Sequence, residues 1–185
     1  PGDGIVANGT GPGIDRGGIN WQGGYYRVMG TKLVEISSAG TVTILGDVGG
    51  PVTELVTFDY SFDLLAIASG GRLYYWSGTT LTQVTDPDLG VVLDFCWVDG
   101  YFMTTDGEFL IVTELTNPLL VNPLKYGSSE VDPDPVVALL KLRNEVYALN
   151  RNTIEVFDNV GGELFPFARI DGAQLQKGVI GTQAC

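Results

Sequence analysis

Apolar and polar residues alternate with a period of two through most of this chain, and short polar breaks punctuate the alternation. The run RNEVYALNRNTIEVFDN, Arg143 to Asn159, is typical: two alternating segments about a polar break, the pattern of two β-strands joined by a tight turn. Three more stretches have the same layout: GGYYRVMGTKLVEIS from Gly23, FDLLAIASGGRLYYWSG from Phe62 and DGYFMTTDGEFLIVTE from Asp99. Their turns are GTK at Gly30 to Lys32, SGGR at Ser69 to Arg72, TDGE at Thr105 to Glu108 and NRN at Asn150 to Asn152. Gly, Asn and Asp tolerate the positive φ that tight hairpin turns require, so turn chemistry and strand alternation agree.

With Leu33, Leu73, Leu110 and Ile154 as equivalent anchors, the hairpins recur at spacings of 40, 37 and 44 residues. Each is preceded by a further apolar run (GGINW, TELVTFDY, VVLDFCWV, VVALLKL) and followed by a fourth (TVTIL, TLTQV, PLLV, ELFPF). Four strands at a period of roughly 40 to 50 residues describe a propeller blade. The expected fold is therefore all-β, a β-propeller of four-stranded antiparallel blades. The divisions are an extended Gly-rich segment at 1–16 and blades at 17–47, 48–86, 87–122 and 123–170. An inter-blade loop is expected at 122–135, and residues 171–185 open a further blade or connection. Helical periodicity is almost absent: PVVALLKLRN begins on Pro135, carries valines and breaks after seven residues, which favours a strand.

A chain of 185 residues with 44% apolar composition can bury one substantial core. Ten basic against twenty-two acidic side chains leave a net charge of −12, which disfavours tight binding to nucleic-acid phosphates or an anionic membrane. No apolar run reaches the roughly 20 residues that span a bilayer, and PGDGIVANGTG lacks a basic-then-apolar leader pattern. The chain starts on Pro1 and stops at Cys185 within the strand-like GVIGTQAC, as a piece of a longer polypeptide would, with a fifth blade beginning there.

Candidate chemistry is sparse. The absence of histidine removes Ser-His-Asp and Cys-His systems and the HExxH zinc site. Two distant cysteines, Cys96 and Cys185, make neither a disulfide scaffold nor a CxxC zinc pair; Cys96 reads as a small apolar strand residue opposite Phe95 and Trp97. Asp86 and Asp88 in TDPDLG and Asp132 and Asp134 in VDPDP are the most patterned acids. Paired carboxylates could hydrolyse glycosides, but Asp before Pro more simply marks an ordered corner, and neither DPD has the oxygen spacing of a calcium loop. GDGIVANGTGPGIDRGG lacks a GK[ST] ending and a strand-to-helix passage, so it is a surface segment and not a phosphate loop. Tyr25, Tyr26, Tyr74, Tyr75, Trp76, Tyr101 and Phe102 have only Arg27 and Arg72 beside them, which fits packing between blades better than stacking on single-stranded nucleic acid. No catalytic, metal-binding or cofactor-binding residue is assigned.

From Asp99 to Gly181 the chain resembles the packaged-DNA stabilisation proteins of short-tailed bacteriophages and prophages, most clearly in SSEVDPDPVVAL, TIEVF followed by NVGGELFPF, and RIDGAQLQKGVIG; YYRVMGTKLVEI also fits. The resemblance implies a structural virion protein without catalytic residues, assembled in the host cytoplasm into the short tail. It implies a hub ring, sixfold in order, that attaches below the portal and adaptor proteins, meets tail fibres, spikes or a needle, and closes the channel after packaging. Its contact with genomic DNA is then transient and non-specific, and it inserts in no membrane. Two rivals stand beside it: a carbohydrate-cleaving or carbohydrate-binding propeller using paired acids, and a scaffold propeller that binds proteins through its loops.

Overall fold

The computed structural model describes residues 9–129 and 134–184. Among these, sixteen strands form four antiparallel sheets, each a meander whose consecutive strands pair. Sheet 1 contains β1 (Asp15–Trp21), β2 (Gly24–Met29), β3 (Lys32–Ile36) and β4 (Val42–Asp47). Sheet 2 contains β5 (Thr57–Tyr60), β6 (Leu65–Ser69), β7 (Arg72–Trp76) and β8 (Leu81–Gln83). Sheet 3 contains β9 (Asp94–Val98), β10 (Tyr101–Thr105), β11 (Phe109–Thr113) and β12 (Val121–Ser128). Sheet 4 contains β13 (Val136–Leu142), β14 (Glu145–Asn150), β15 (Ile154–Asn159) and β16 (Phe167–Arg169). One 3₁₀ turn, Pro87–Leu89, precedes sheet 3.

The sheets stack in sequence order, with the first strands β1, β5, β9 and β13 brought side by side as the inner strands of a β-propeller. Period-two alternation supplies the packing. In sheet 2, Leu65, Ile67, Tyr74 and Trp76 face sheet 1, while Ala66, Ala68, Leu73 and Tyr75 face sheet 3. A strand covered on both faces has no solvent side, which is why RLYYW is apolar almost throughout. In sheet 3, Phe95 and Phe102 turn to sheet 2, and Cys96, Met103 and Leu110 turn to sheet 4. Leu33, Leu73 and Leu110 are each completely buried on the face toward the following sheet, so the repeat anchors occupy one structural position.

Each sheet has two ends, or rims. One carries the turns between second and third strands together with the inter-sheet connectors, and is called here the connector rim; the other carries the remaining turns. Positive φ at Gly30 (61°), Gly70 (57°), Gly71 (74°) and Gly107 (102°) makes three of the expected reversals on the connector rim. The fourth, NRN, has no positive-φ residue; there Asn150 N–H donates to Thr153 O and the backbone is held by a neighbouring carboxylate, Asp134, instead. The positive φ falls unexpectedly at Arg143 (58°), in the turn between β13 and β14.

Three boundaries differ from the sequence expectation. Residues 122–128 are not an inter-blade loop: they belong to β12, which pairs with β11 and supplies sheet 3 with its outer strand, taking only Val121 from PLLV. Pro123 is tolerated there because an outer strand need not donate every amide. The outer strand of sheet 4 is Phe167–Arg169 and not the whole of ELFPF. Sheet 1 begins at Asp15, so Arg16 is a strand residue and not part of a surface head. The GVIGTQAC segment forms no strand over 178–184; Leu175 makes a single bridge to Ile154, Val179 N–H donates to Asn150 O, and Thr182 Oγ1 donates to Val137 O.

Candidate functional site

The inner strands are tied to one another by carboxylates. Asp59 on β5 accepts the Trp97 amide of β9 at 2.6 Å, and Asp94 on β9 accepts the Leu139 amide of β13 at 2.8 Å. Lys141 on β13 reaches back across sheet 3 to Asp59, 3.1 Å away, and lies over the Trp97 ring. One lysine thus links three successive sheets. Burial pushes the Asp94 carboxyl up to about 6 and the Asp59 charge adds to the rise, against the lowering effect of the Leu139 amide and Thr57 hydroxyl.

Arg16 joins sheets 1 and 2 from within. Only 1% exposed, its guanidinium donates to the carbonyls of Glu54 (2.7 Å), Gly30 (3.0 Å) and Gly49 (2.8 Å) and to Ser69 Oγ (3.0 Å). Burial lowers its pKa, and the Glu54 charge partly opposes that. The planar fork suits three separate loops where a lysine could not. Gly50, at φ 81°, permits the approach: a Cβ there would lie 2.7 Å from Ser69 Oγ and 2.9 Å from the Gly70 nitrogen.

A cavity of about 490 Å³ opens on the connector rim beside these groups. Its walls come from the connector into β5 (Glu54, Leu55) with Thr57 of β5, the end of β6 and the β6–β7 turn, the connector into β9 (Val92, Leu93), and Thr182 and Gln183 on the far side. Because Thr182 is bonded to β13, the cavity extends across the inner strands.

Two of the singled-out acids, Asp86 and Asp134, have structural duties. Asp86 caps the 3₁₀ turn through Asp88 N–H and accepts the Val121 amide, while Asp88 is exposed. Asp134 accepts from Asn152 N–H and Nδ2 and from Thr153 N–H and Oγ1, fixing the NRN reversal. Asp86 and Asp134 therefore each bind their own corner, in different inter-sheet connections. Asp132 lies outside the described residues. No group of three or more His, Cys, Asp or Glu side chains is placed to hold a metal among the described residues.

Tyr26, Tyr74, Tyr75, Trp76 and Phe102 lie between sheets, and Tyr101 packs edge-on against Phe167. Tyr25 differs: with Arg27 and Asp15 it occupies the outer face of sheet 1, where the Arg27 guanidinium bonds both partners and lies over the Tyr25 ring. The described part of the glycine head crosses the β2–β3 turn, with Gly30 N–H donating to Ile14 O; residues 1–8 lie outside the described residues. Cys96 is 4% exposed, and burial, with the Asp59 charge, raises its thiol pKa. An alkylating reagent should leave the Cys96 peptide unmodified in the native protein at pH 8 and modify it in denaturant, as read by peptide mass mapping. Native labelling within minutes would contradict the burial.

Sequence reasoning missed Arg16, Asp59 and Asp94. The available signal was a charged residue at an inward position of the first strand in three successive repeats: DRGG, TFDY and LDFC.

The family model described as "Bacteriophage P22 Gp10, beta-propeller" matches residues 1–185. The chain belongs to this phage stabilisation family. Its members are phage structural proteins, and the chain is accordingly a virion component with a propeller fold. No curated protein matches it in sequence. Among solved structures it is similar to Hsv2 of Kluyveromyces marxianus (13% identity, 88% of this chain and 61% of that one, TM-score 0.57). It is also similar to the computationally designed Ika4 protein (13% identity, 84% and 98%, TM-score 0.57). A third is PorZ of Porphyromonas gingivalis, a component of a type-IX secretion system (14% identity, 85% and 22%, TM-score 0.56). These likenesses concern the fold alone. The chain spans less than two thirds of the Hsv2 chain and under a quarter of PorZ.

Proposed function

We propose that the chain is the propeller portion of a short-tail hub that joins the portal and adaptor ring to distal tail parts, closes the channel after packaging and forms part of the ejection conduit. The observation that carries this reading is the family match over the whole chain. A cyclic ring of identical subunits, sixfold in order, is its quaternary form, and assembly takes place in the host cytoplasm. No catalytic step is assigned; Asp86 and Asp134 are engaged with backbone amides.

Charge distribution fits such a part. Of the ten basic side chains, Arg27, Lys32, Lys125, Lys141 and Arg169 lie within ion-pair distance of carboxylates and Arg16 is buried. With half of its basic side chains paired, a chain of net charge −12 gains little from counterion release and lets a duplex slide past. Filled heads made without the protein should lose their DNA on storage, and adding the purified full protein should restore nuclease protection. Unchanged retention with and without the protein would refute the hub reading. In the same preparation, a short duplex should show no salt-dependent binding to the free ring.

A further inference from the structure

We propose that the far face of sheet 4 is the seat of a fifth sheet of the same four-stranded design, built by the polypeptide that continues from the 170–184 tail. The four described sheets are then an arc of a larger propeller and not a ring closed on itself. The hub reading above can fail without touching this inference.

The connectors between sheets follow one route. After an outer strand the chain returns along the connector rim and bonds to the reversal between second and third strands: Val48 N–H donates to Thr31 O, Val84 and Val92 N–H to Leu73 and Gly71 O, and Val136 N–H to Gly107 O. The tail after β16 repeats this on sheet 4. Leu175 N–H donates to Ile154 O, the anchor position that Leu73 holds in sheet 2, and Val179 N–H donates to Asn150 O. The crossing to the next first strand is repeated as well. Val56 N–H, one residue ahead of β5, donates to Arg16 O, and Thr182 Oγ1 donates to Val137 O. Arg16 and Val137 both sit at the bulge in the second position of a first strand. Thr182 thus stands where Val56 stands, at the threshold of a first strand. The tail is a connector, which is why it forms no strand of its own.

The face that the tail reaches has the composition of an interface between sheets. Strand register makes Trp21, Val98 and Leu142 equivalent, likewise Cys96 and Leu140, and likewise Tyr26, Met103 and Tyr147. Where a following sheet is present, Trp21, Tyr26, Cys96, Val98 and Met103 are all buried against it. In sheet 4 the same positions are open, with Leu140 and Leu142 at 47% and 56% exposure, although Ala138 and Leu149, beside the tail on this face, are buried. Sheet 1 does not fit there, whether from this chain or from a second copy. Its free side carries Tyr25 and Arg27 where sheet 2 has the buried Leu65 and Ile67, and Arg27 is bonded to Asp15 and Tyr25. Pressing that ion pair against Leu140 and Leu142 would strip it of water and give it no new partner. A sheet with apolar residues at those positions, as sheet 2 has, covers the leucines without that cost.

The test uses the full-length protein, monomeric by sedimentation. Leu142→Cys and Leu124→Cys replace side chains of similar exposure in the four sheets, 56% and 61%, but only position 142 lies on the proposed seat. Alkylation read by peptide mass mapping should modify position 142 roughly a hundredfold more slowly than position 124. Equal rates would overturn the proposal, and so would protection at 142 that appears only on oligomerisation, which assigns the face to a second copy. A photoreactive phenylalanine analogue at position 140 gives an independent reading in protein that melts as wild type. Its adduct is expected within the same polypeptide, downstream of residue 185, in a segment of alternating apolar residues. An adduct to sheet 1 or to another virion protein would refute the fifth sheet, as would an intact mass showing that the protein in particles stops at Cys185.

Discussion

Replacing Arg16 with methionine is expected to lower the melting temperature by roughly 10 °C, the effect of about 4 kcal/mol on a chain of this size. Methionine keeps much of the stem volume and removes every donor. The carbonyls of Glu54, Gly30 and Gly49 and the Ser69 hydroxyl then lose the group that satisfies them, in a site from which water is largely excluded. Arg16→Lys should fall between: an ammonium has donors, but one point cannot reach acceptors spread over three loops. Thermal denaturation followed by circular dichroism measures both. A methionine variant within 2 °C of wild type would show that the four bonds contribute little net stability.

Asp94 should make the protein more stable in mild acid than at neutral pH. Its native carboxyl, raised to about 6 by burial and by Asp59, holds a proton where the unfolded one, near 3.8, does not. Between those values the folded state binds more protons than the unfolded state, so stability falls as pH rises through this window and the loss is complete above about 6. The size is about 3 kcal/mol, from a shift of about two units. Asp94→Asn keeps an acceptor for the Leu139 amide and cannot ionise. The stability difference, variant minus wild type, should therefore grow by about 3 kcal/mol from pH 4 to pH 7 in urea titrations, which cancels the contributions of other carboxylates. Lys141 shares the neighbourhood through Asp59, so a flat difference would mean that this cation reaches Asp94 closely enough to offset its burial.

Strand number, sheet number and meander order were legible in the sequence because they depend on alternation and turn residues, which are local. The outer strands were less so. NPLKYGS has a proline, a glycine and weak alternation, and what makes it a strand is the row of β11 backbone groups beside it, a tertiary fact. PLLV has the better strand composition, but only its Val121 enters the strand. The NRN reversal illustrates the same limit: its residues favour positive φ, yet Asp134 holds the backbone without it. Asp86 and Asp134 read correctly as corners, whereas the carboxylates with wider consequences, Asp59 and Asp94, sit inside apolar strands with no motif to announce them. Arg16 was obscured by the glycines around it. Those glycines let its loops close on the guanidinium, and in one dimension they look like slack. The cavity combines the connectors into β5 and β9 with a segment far along the chain, and pairings at that distance leave no trace in short-range pattern.

The meander has a consequence for synthesis. Every strand finds its hydrogen-bonding partner in the strand just made, and every sheet leans on the sheet completed before it. Strand pairing among the described residues does not wait for a distant sequence to arrive, so sheets can accrue in step with the ribosome. This ordering shortens the time that sticky, half-built intermediates spend in each other's company.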